Sequence, residues 1–302
     1  MAEGNWGSAG MHKVDIRNDL MFSYVMRNPE ICTELLEVLL PGHKIARVEY
    51  IELESERDGA PQAAITKTRK NRPDTQKALL SAIDKRSVRL DAYLDDGKTI
   101  YNVEMQTAEY GALPQRARLY QAHMDINQLQ RGQFYTKLRP SFVIFICTFD
   151  PFDEGRYLYS FRNVCRETGG ELGDEAYKLF FNTAGTRGEI SDSLRELLRY
   201  MNDPKNYPDA KTGLPLIRSI DEAVDEAKMN DDWRHAFMIY QIHQMDAEKR
   251  GEKRGITIGA KQEKLDNAKG MLHEGLSADL ISRVTGLSIA EINKLKAAPS
   301  AT

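Results

Sequence analysis

The chain has 302 residues, of which 41% are hydrophobic and 29% charged, and its mean hydropathy is −0.53. This length can bury at least one sizeable core, and no run approaches the roughly 20 apolar residues of a membrane span, so we expect no contact with a membrane. The net charge of −3, from 42 Lys and Arg against 45 Asp and Glu, excludes overall attraction to nucleic acid, so such contacts require local basic patches.

Cysteine usage indicates a reducing compartment. Cys32, Cys147 and Cys165 lie far apart without C-x-x-C spacing, and two of them sit in apolar runs, which is typical of reduced thiols and argues against zinc. The first residues, MAEGNWGSAG, have no apolar signal region. We therefore expect a cytoplasmic protein with a flexible tail at residues 1–17.

The first predicted elements are two helices within residues 18–40, separated by a turn at Asn28-Pro29. Residues 47–53 predict a strand, and residues 54–86 then interrupt the pattern with glycine, proline and a basic run. Because this run leads directly into the next strand, its cations could contact a phosphate backbone bound there. The alternative is a mobile, solvated loop.

The stretch 87–106, SVRLDAYLDDGKTIYNVEMQ, predicts a β-hairpin. Apolar and polar residues alternate along its first half, as in a half-buried strand. Asp96-Gly97 is a signal for a two-residue turn, which would pair Asp95 with Lys98.

This register decides which polar side chains share a face. It places Asp91 opposite Asn102 and on the face that carries Glu104. The two acids become diagonal neighbours roughly 7–8 Å apart at their β-carbons, a gap that two carboxylates can close around one cation. Structural alternatives are paired acids on a solvated face and a cross-strand ion pair between Arg89 and Glu104.

After the hairpin, residues 113–135 predict one long helix, in which Arg116 and Tyr120 lie four residues apart and share a face. Residues 141–148, SFVIFICT, are typical of a strand buried on both faces. Beyond it we predict strands at 157–161 and 177–181 and helices at 191–201 and 220–247.

The C-terminal region has helical signals. Residues 247–268 are charged with scattered glycines, which predicts a solvated linker or a frayed helix. Gly275 and Gly286 predict helix ends, and Ser288 with Glu291 predicts a capping box at the start of a final helix. The outline is a helix-turn-helix, but its last helix has few groups suited to reading base edges, which favours self-association or packing over DNA reading.

Taken together, RLDAYL…YNVEMQ, a following helix with R-x-R-x-Y and then G-x-F-Y-x-K-L-R-P resemble the D…(D/E)xK core of the PD-(D/E)XK nuclease superfamily. More narrowly, they resemble its Rpn branch of recombination-promoting nucleases and transposase-like proteins. The resemblance runs from about residue 18 to residue 150. It implies an α/β fold with a restriction-endonuclease-like core, a mixed central sheet flanked by helices, here followed by a helical C-terminal region.

The resemblance also implies an active site that uses Mg²⁺, for which Mn²⁺ can substitute. Asp91, Glu104 and the main-chain carbonyl of Met105 are its expected ligands, since Mg²⁺ favours oxygen. Asp19 is expected as a further acid beside the metal, the alternative being that Asn18 or Asp19 caps the first helix.

One departure from the superfamily pattern concerns its lysine, which is Gln106 in this chain. Glutamine can neither accept nor hold a proton, so it is expected to orient water or phosphate through neutral hydrogen bonds, and turnover is expected to be slow. The residues expected to contact nucleic acid are Arg116 and Tyr120, less strongly Arg118, and from the basic run Lys67, Arg69 and Lys70. For Arg116 the alternative is a surface arginine packed along a tyrosine ring.

Two functions follow from these patterns. The first is a Mg²⁺-dependent endonuclease that acts on DNA and is linked to recombination or mobile elements. The second is a catalytically weak or inactive nuclease-fold protein that serves as a DNA-binding or oligomeric module, and a homodimer is compatible with both. The predicted divisions are a tail at 1–17, a nuclease core at 18–162 with a basic insertion at 54–86, a mixed and helical extension at 163–246, and a linker with a helix-turn-helix-like unit at 247–302.

Overall fold

The computed structural model describes residues 13–50, 91–109, 111–129, 132–208 and 213–297. The chain packs as two compact units, one ending at Arg234 and the other beginning at His235. The finer divisions predicted at residues 162 and 246 stay predictions. The basic residues Lys67, Arg69 and Lys70, and Arg89, lie outside the described residues.

The first unit contains a mixed sheet with helices beside it. Its described elements are α1 (Asp19–Val25), α2 (Pro29–Leu39), β1 (Glu49–Tyr50), β2 (Ala92–Asp95), β3 (Ile100–Gln106), α3 (Leu113–Gln128), β4 (Ser141–Cys147), β5 (Leu158–Phe161), β6 (Ala176–Asn182), α4 (Asp192–Asn202), α5 (Pro215–Met229) and the start of α6 (Asp231–His273). The described strands are ordered β1-β2-β3-β4-β6-β5, with β3, β4 and β6 parallel and the other neighbours antiparallel. This architecture confirms the predicted fold class.

The hairpin of β2 and β3 has a longer loop than predicted. Asp95 pairs with Ile100, so four residues form the loop, and the two-residue turn was wrong. The Asp96 carboxylate accepts hydrogen bonds from the main-chain N–H groups of Lys98 and Thr99 at 2.9 and 2.6 Å, which stabilises the wider loop. The register therefore shifts by two residues. Because side chains alternate with a period of two, the predicted face is unchanged.

One face of the sheet packs against α3. Tyr120 of this helix stacks on Phe145 of β4, with ring centroids 5.9 Å apart, and Phe145 stacks on Phe180 of β6 at 5.2 Å. β4 is buried along its whole length, as its continuous apolar run predicted. The α3-facing core consists of Tyr93, Ile100, Leu113, Ala117, Tyr120, Met124, Val143, Phe145, Cys147, Tyr159 and Phe180.

Asparagine side chains fix the starts of the first two helices. Asn18 accepts from the Met21 N–H at 3.2 Å, and Asn28 accepts from the N–H groups that begin α2, where Pro29 occupies the first turn. The predicted break between the two helices is confirmed. The capping interpretation holds for Asn18, and Asp19 lies in the first turn of α1. Both helices pack against α5.

Three predicted helix bounds were wrong. The helix after the hairpin ends at Gln128, because Leu129 is extended and Gly132 has a φ of +85°. The predicted helix 220–247 is interrupted at Asn230, whose extended backbone and side-chain bond to the Trp233 N–H at 2.9 Å end α5 and begin α6. Residues 247–268 belong to α6, so they form a helix and the linker interpretation was wrong.

In the second unit the C-terminal end of α6 is followed by α7 (Ala278–Thr285) and α8 (Ile289–Ala297). The predicted helix ends at Gly275 and Gly286 are confirmed, with φ of +79° and +72°. The capping box is confirmed as well, since Ser288 and Glu291 exchange main-chain-to-side-chain bonds at 3.0 and 3.3 Å. These elements bury a small core of Ala268, Ile281, Leu287 and Ile292.

Cys32, Cys147 and Cys165 are free thiols, the first two buried and the third exposed. Across the described ranges, no helix combines the length and apolar character needed to cross a membrane.

Candidate active site

Asp91 and Glu104 contact each other at the end of the hairpin. The main-chain N–H of Asp91 donates to Oε1 of Glu104 at 3.1 Å, and the main-chain N–H of Met105 donates to Oδ2 of Asp91 at 3.2 Å. Asp91 immediately precedes β2. Its carboxylate accepts the Met105 N–H of β3 in place of a main-chain carbonyl from a paired strand. The two acids are 8% and 2% exposed. The observed register continues from the Ala92–Val103 pair and places Asp91 directly opposite Glu104, whereas the predicted two-residue turn made the two acids diagonal neighbours.

Glu104 is a buried carboxylate held by neutral and charged donors. Its Oε1 also accepts from Nδ2 of the fully buried Asn102 at 3.1 Å. Burial raises the pKa of Glu104 to about 7, although the hydrogen bonds from Asp91 and Asn102 and the charge of Arg116 favour its ionised form. A second cation beside Glu104 would therefore lower its pKa and stabilise the carboxylate.

Arg116 of α3 contacts two polar residues of β3, Glu104 and Gln106. Its Nη1 donates to Oε1 of Gln106 at 2.5 Å, its Nη2 donates to the Tyr120 hydroxyl at 2.9 Å, and its Nη2 is 3.6 Å from Oε2 of Glu104. Burial disfavours the charged form of Arg116, but the Tyr120 hydrogen bond and the charges of Glu104 and Asp91 outweigh it, so its pKa lies above the usual value. The side chain of Arg116 is about one-third exposed, which makes it the member of this cluster that reaches solvent.

Tyr120 fixes the position of the guanidinium. The Arg116 carbon Cζ lies 5.5 Å from the Tyr120 ring centroid and 5.6 Å from that of Phe145, within the range of cation–π attraction. Burial, together with the charge of Glu104, raises the pKa of Tyr120 to about 12. The hydroxyl therefore stays neutral at ordinary pH.

Gln106 is held at both of its polar atoms. Its Oε1 accepts from Arg116, and its Nε2 donates to the main-chain carbonyl of Ala108 at 2.6 Å. The side chain is nearly buried. Its position is therefore determined by protein partners on both sides, rather than by solvent.

The oxygen donors of this cluster suit a hard divalent cation. The carboxylates of Asp91 and Glu104 each accept from a main-chain N–H beside the other acid, and the Met105 carbonyl faces the same strand edge as the Met105 N–H that contacts Asp91. Within the part of the chain that the structure describes, no group of three or more His, Cys, Asp or Glu side chains could hold a metal. Mg²⁺ is often bound by one or two carboxylates with water completing the shell, so two acids and a carbonyl are sufficient.

The structure brings together five of the predicted site side chains, namely Asp91, Glu104, Gln106, Arg116 and Tyr120. Arg118 is exposed on α3, two residues from Arg116 and thus on another side of the helix. Asp19 lies at the start of α1, and its role as a further acid stays a prediction.

Sequence reasoning missed Asn102 as a site residue, although it placed Asn102 on the correct face. The available signal was a polar amide in a strand whose neighbours are apolar, two residues before Glu104. The contact between Gln106 and Arg116 was missed as well, since it depends on how α3 packs against the sheet.

A mixed sheet with a parallel centre, two acids at neighbouring strands and a cation on the adjacent helix are together consistent with the PD-(D/E)XK nuclease fold. Residues 61–184 match the family described as PD-(D/E)XK nuclease family transposase, in agreement with the resemblance seen in the sequence. The match covers less than half of the chain and begins within the basic stretch 54–86. No curated protein and no solved structure matches the chain.

Proposed function

We propose that this chain is a metal-dependent endonuclease that hydrolyses phosphodiester bonds in DNA. The observation that carries the proposal is the contact between Asp91 and Glu104, two acids from adjacent strands of a nuclease-type sheet. The match of residues 61–184 to a nuclease family of transposases supports the reaction class and a link to recombination or mobile elements.

The proposed metal ligands are the carboxylates of Asp91 and Glu104 and the main-chain carbonyl of Met105. Their all-oxygen character favours Mg²⁺, with Mn²⁺ as a substitute. A cation bound there supplies Lewis-acid polarisation of the phosphate and activation of water. Asn102 and the Asp91 N–H donate to Oε1 of Glu104, whereas Oε2 lies 3.6 Å from Nη2 of Arg116.

The proposed reaction is hydrolysis. The oxygen of one water molecule bonds to phosphorus, and one of the two ester P–O bonds breaks. One water proton ends on the leaving sugar oxygen, and the other stays on the new phosphate or passes to solvent. Charge on the phosphate grows during this exchange, so a nearby fixed cation favours it.

Arg116 is the proposed phosphate contact of the site. It is partly exposed, it carries a full charge, and Tyr120 and Gln106 both fix its orientation. A planar guanidinium suits bidentate contact with phosphate oxygens. Tyr120 is buried and already accepts from Arg116, so its proposed role is to orient that side chain.

The test is cleavage of supercoiled plasmid by purified protein with Mg²⁺, Mn²⁺ or a chelator. We expect metal-dependent nicking by wild type and a loss of at least about 100-fold in Asp91→Asn and Glu104→Gln, as for removal of a group that stabilises transition-state charge. Glu37→Gln is the matched control, because it makes the same change at an exposed position of α2. Equal nicking by the wild type and both site variants would refute the assignment.

A second function is favoured by the absence of the superfamily lysine at position 106. In that case the chain binds DNA or a partner without cutting it. Binding of a labelled duplex, measured together with cleavage, separates the two, since tight binding without metal-dependent nicking would support the second function.

A further inference from the structure

The contact between Gln106 and Arg116 joins a neutral side chain on β3 to a cation on α3. The family name PD-(D/E)XK places a lysine two residues after the second acid, and Gln106 occupies that position after Glu104. In this chain Nη1 of Arg116 reaches Oε1 of Gln106 at 2.5 Å. A guanidinium from the helix therefore lies beside the place where the motif has an ammonium group.

We propose that Arg116 supplies the positive charge that the motif lysine would supply, and that Gln106 is the positioning residue that holds Arg116 there. This inference rests on the proposed nuclease function. Arg116 is the catalytic residue of the pair because it is the one that can touch the reacting phosphate.

The surroundings of Arg116 restrict where its charge can lie. Gln106 holds Nη1, Tyr120 holds Nη2, and Oε2 of Glu104 is 3.6 Å from Nη2. The plane of the guanidinium is further limited by the rings of Tyr120 and Phe145. A charge held in this way needs little reorganisation when negative charge develops on a phosphate beside the two acids.

Gln106 is suited to this positioning role because its other end is anchored. Its Nε2 donates to the Ala108 carbonyl, so Oε1 is left to accept from Arg116. A lysine at position 106 would instead place a second cation against Arg116, and two like charges at this distance repel each other. We therefore expect a lysine at position 106 to be tolerated only when the positive charge at position 116 is removed at the same time.

The experiment compares wild type with Arg116→Gln, Gln106→Lys and the exchange variant Gln106→Lys/Arg116→Gln. Cleavage is measured under single-turnover conditions with Mg²⁺, and duplex binding is measured with Ca²⁺. We expect Arg116→Gln to cut about 100-fold more slowly while its DNA affinity changes by less than about 3-fold. Gln106→Lys should also be slow, and the exchange variant should recover to within about 10-fold of wild type.

Two further measurements separate a catalytic charge from a structural one. At a pH well above the pKa of Glu104, the Mn²⁺ affinity of Arg116→Gln, measured by calorimetry, should equal or exceed that of wild type, because a cation beside Glu104 has been removed. Arg199→Gln, the same change at an exposed position of α4, should cut like wild type.

The outcomes distinguish this inference from the function on which it rests. If wild type shows no metal-dependent cleavage, the proposed function fails, and the inference fails with it. If wild type cuts and Arg116→Gln cuts equally fast, or the exchange variant is no faster than Arg116→Gln, only the inference is overturned.

Discussion

Asp91 and Glu104 are joined by a hydrogen bond from the main-chain N–H of Asp91 to Oε1 of Glu104 at 3.1 Å. The main-chain N–H of Met105, the residue after Glu104, donates to the Asp91 carboxylate. The antiparallel strands β2 and β3 therefore hold the two carboxylates in position through main-chain N–H groups, before any ligand binds. The proposed site depends on the hairpin register, because a shift of one residue would place the two side chains on opposite faces.

The raised pKa of Glu104 predicts a pH-dependent stability. Because burial raises this pKa from 4.5 to about 7, the folded state keeps a proton that the unfolded chain releases between these values. The contribution is present at low pH and is lost as pH rises through about 7. Between pH 5 and pH 8, metal-free wild type should lose on the order of 1–3 kcal/mol more unfolding free energy than Glu104→Gln.

Urea unfolding followed by circular dichroism at four pH values measures this difference. Glu37→Gln should follow the wild-type pH dependence. Parallel pH profiles for wild type and Glu104→Gln would contradict the assignment of a raised pKa to Glu104.

The same pKa predicts how pH affects metal binding. A metal must displace the proton of Glu104, so Mn²⁺ affinity should fall by up to about tenfold for each pH unit below 7 and level off above it. Calorimetry in buffers of different ionisation enthalpy gives both the affinity and the number of protons released. An affinity that is constant from pH 6 to pH 8, with no proton release, would show that Glu104 is not a ligand.

The four-residue hairpin loop predicts a specific role for Asp96. Its carboxylate accepts from Lys98 and Thr99 N–H groups and from the Tyr101 hydroxyl at 3.1 Å. Asp96→Ala should lower the free energy of unfolding by roughly 1–2 kcal/mol, whereas Asp96→Asn keeps an acceptor oxygen and should lower it less. Urea unfolding compares the two, and equal losses would mean that the acceptor does not stabilise the loop.

An ion pair ties the hairpin to the segment before β4. Both terminal nitrogens of Arg139 bind the two oxygens of Asp95 at 2.7 Å, and both side chains are partly buried. A double-mutant cycle with Asp95→Asn and Arg139→Lys should give a coupling energy of about 1–2 kcal/mol, since lysine cannot form the paired contact. Strictly additive losses would indicate that the pair contributes little.

Local patterns predicted most of the first unit. The hairpin strands, the apolar run of β4 and the Asn28-Pro29 break each depend on neighbouring residues, and each is present in the structure. The half-buried character predicted for the first hairpin strand was wrong, because Ala92, Tyr93 and Leu94 are all buried. The loop length was predicted wrongly because an Asp-Gly pair favours a tight turn, while the side chain of Asp96 stabilises a wider one.

The site was predictable to the extent that it follows from strand periodicity. The shared face of Asp91 and Glu104 depends on a period of two, which a two-residue shift preserves. Arg116 and Tyr120 follow from helical spacing. The approach of Arg116 to Gln106 depends on the packing of α3 on β4 through Tyr120 and Phe145, a tertiary contact that no local pattern contains.

The proposed site requires Asp91 and Glu104 to hold one divalent cation between them. Calorimetric titration of Mn²⁺ into the full chain at pH 8, with wild type, Asp91→Asn, Glu104→Gln and the control Glu37→Gln, tests it most directly. We expect one Mn²⁺ per chain for wild type and control, and loss of that binding in either site variant. Unchanged stoichiometry and affinity in both site variants would contradict it.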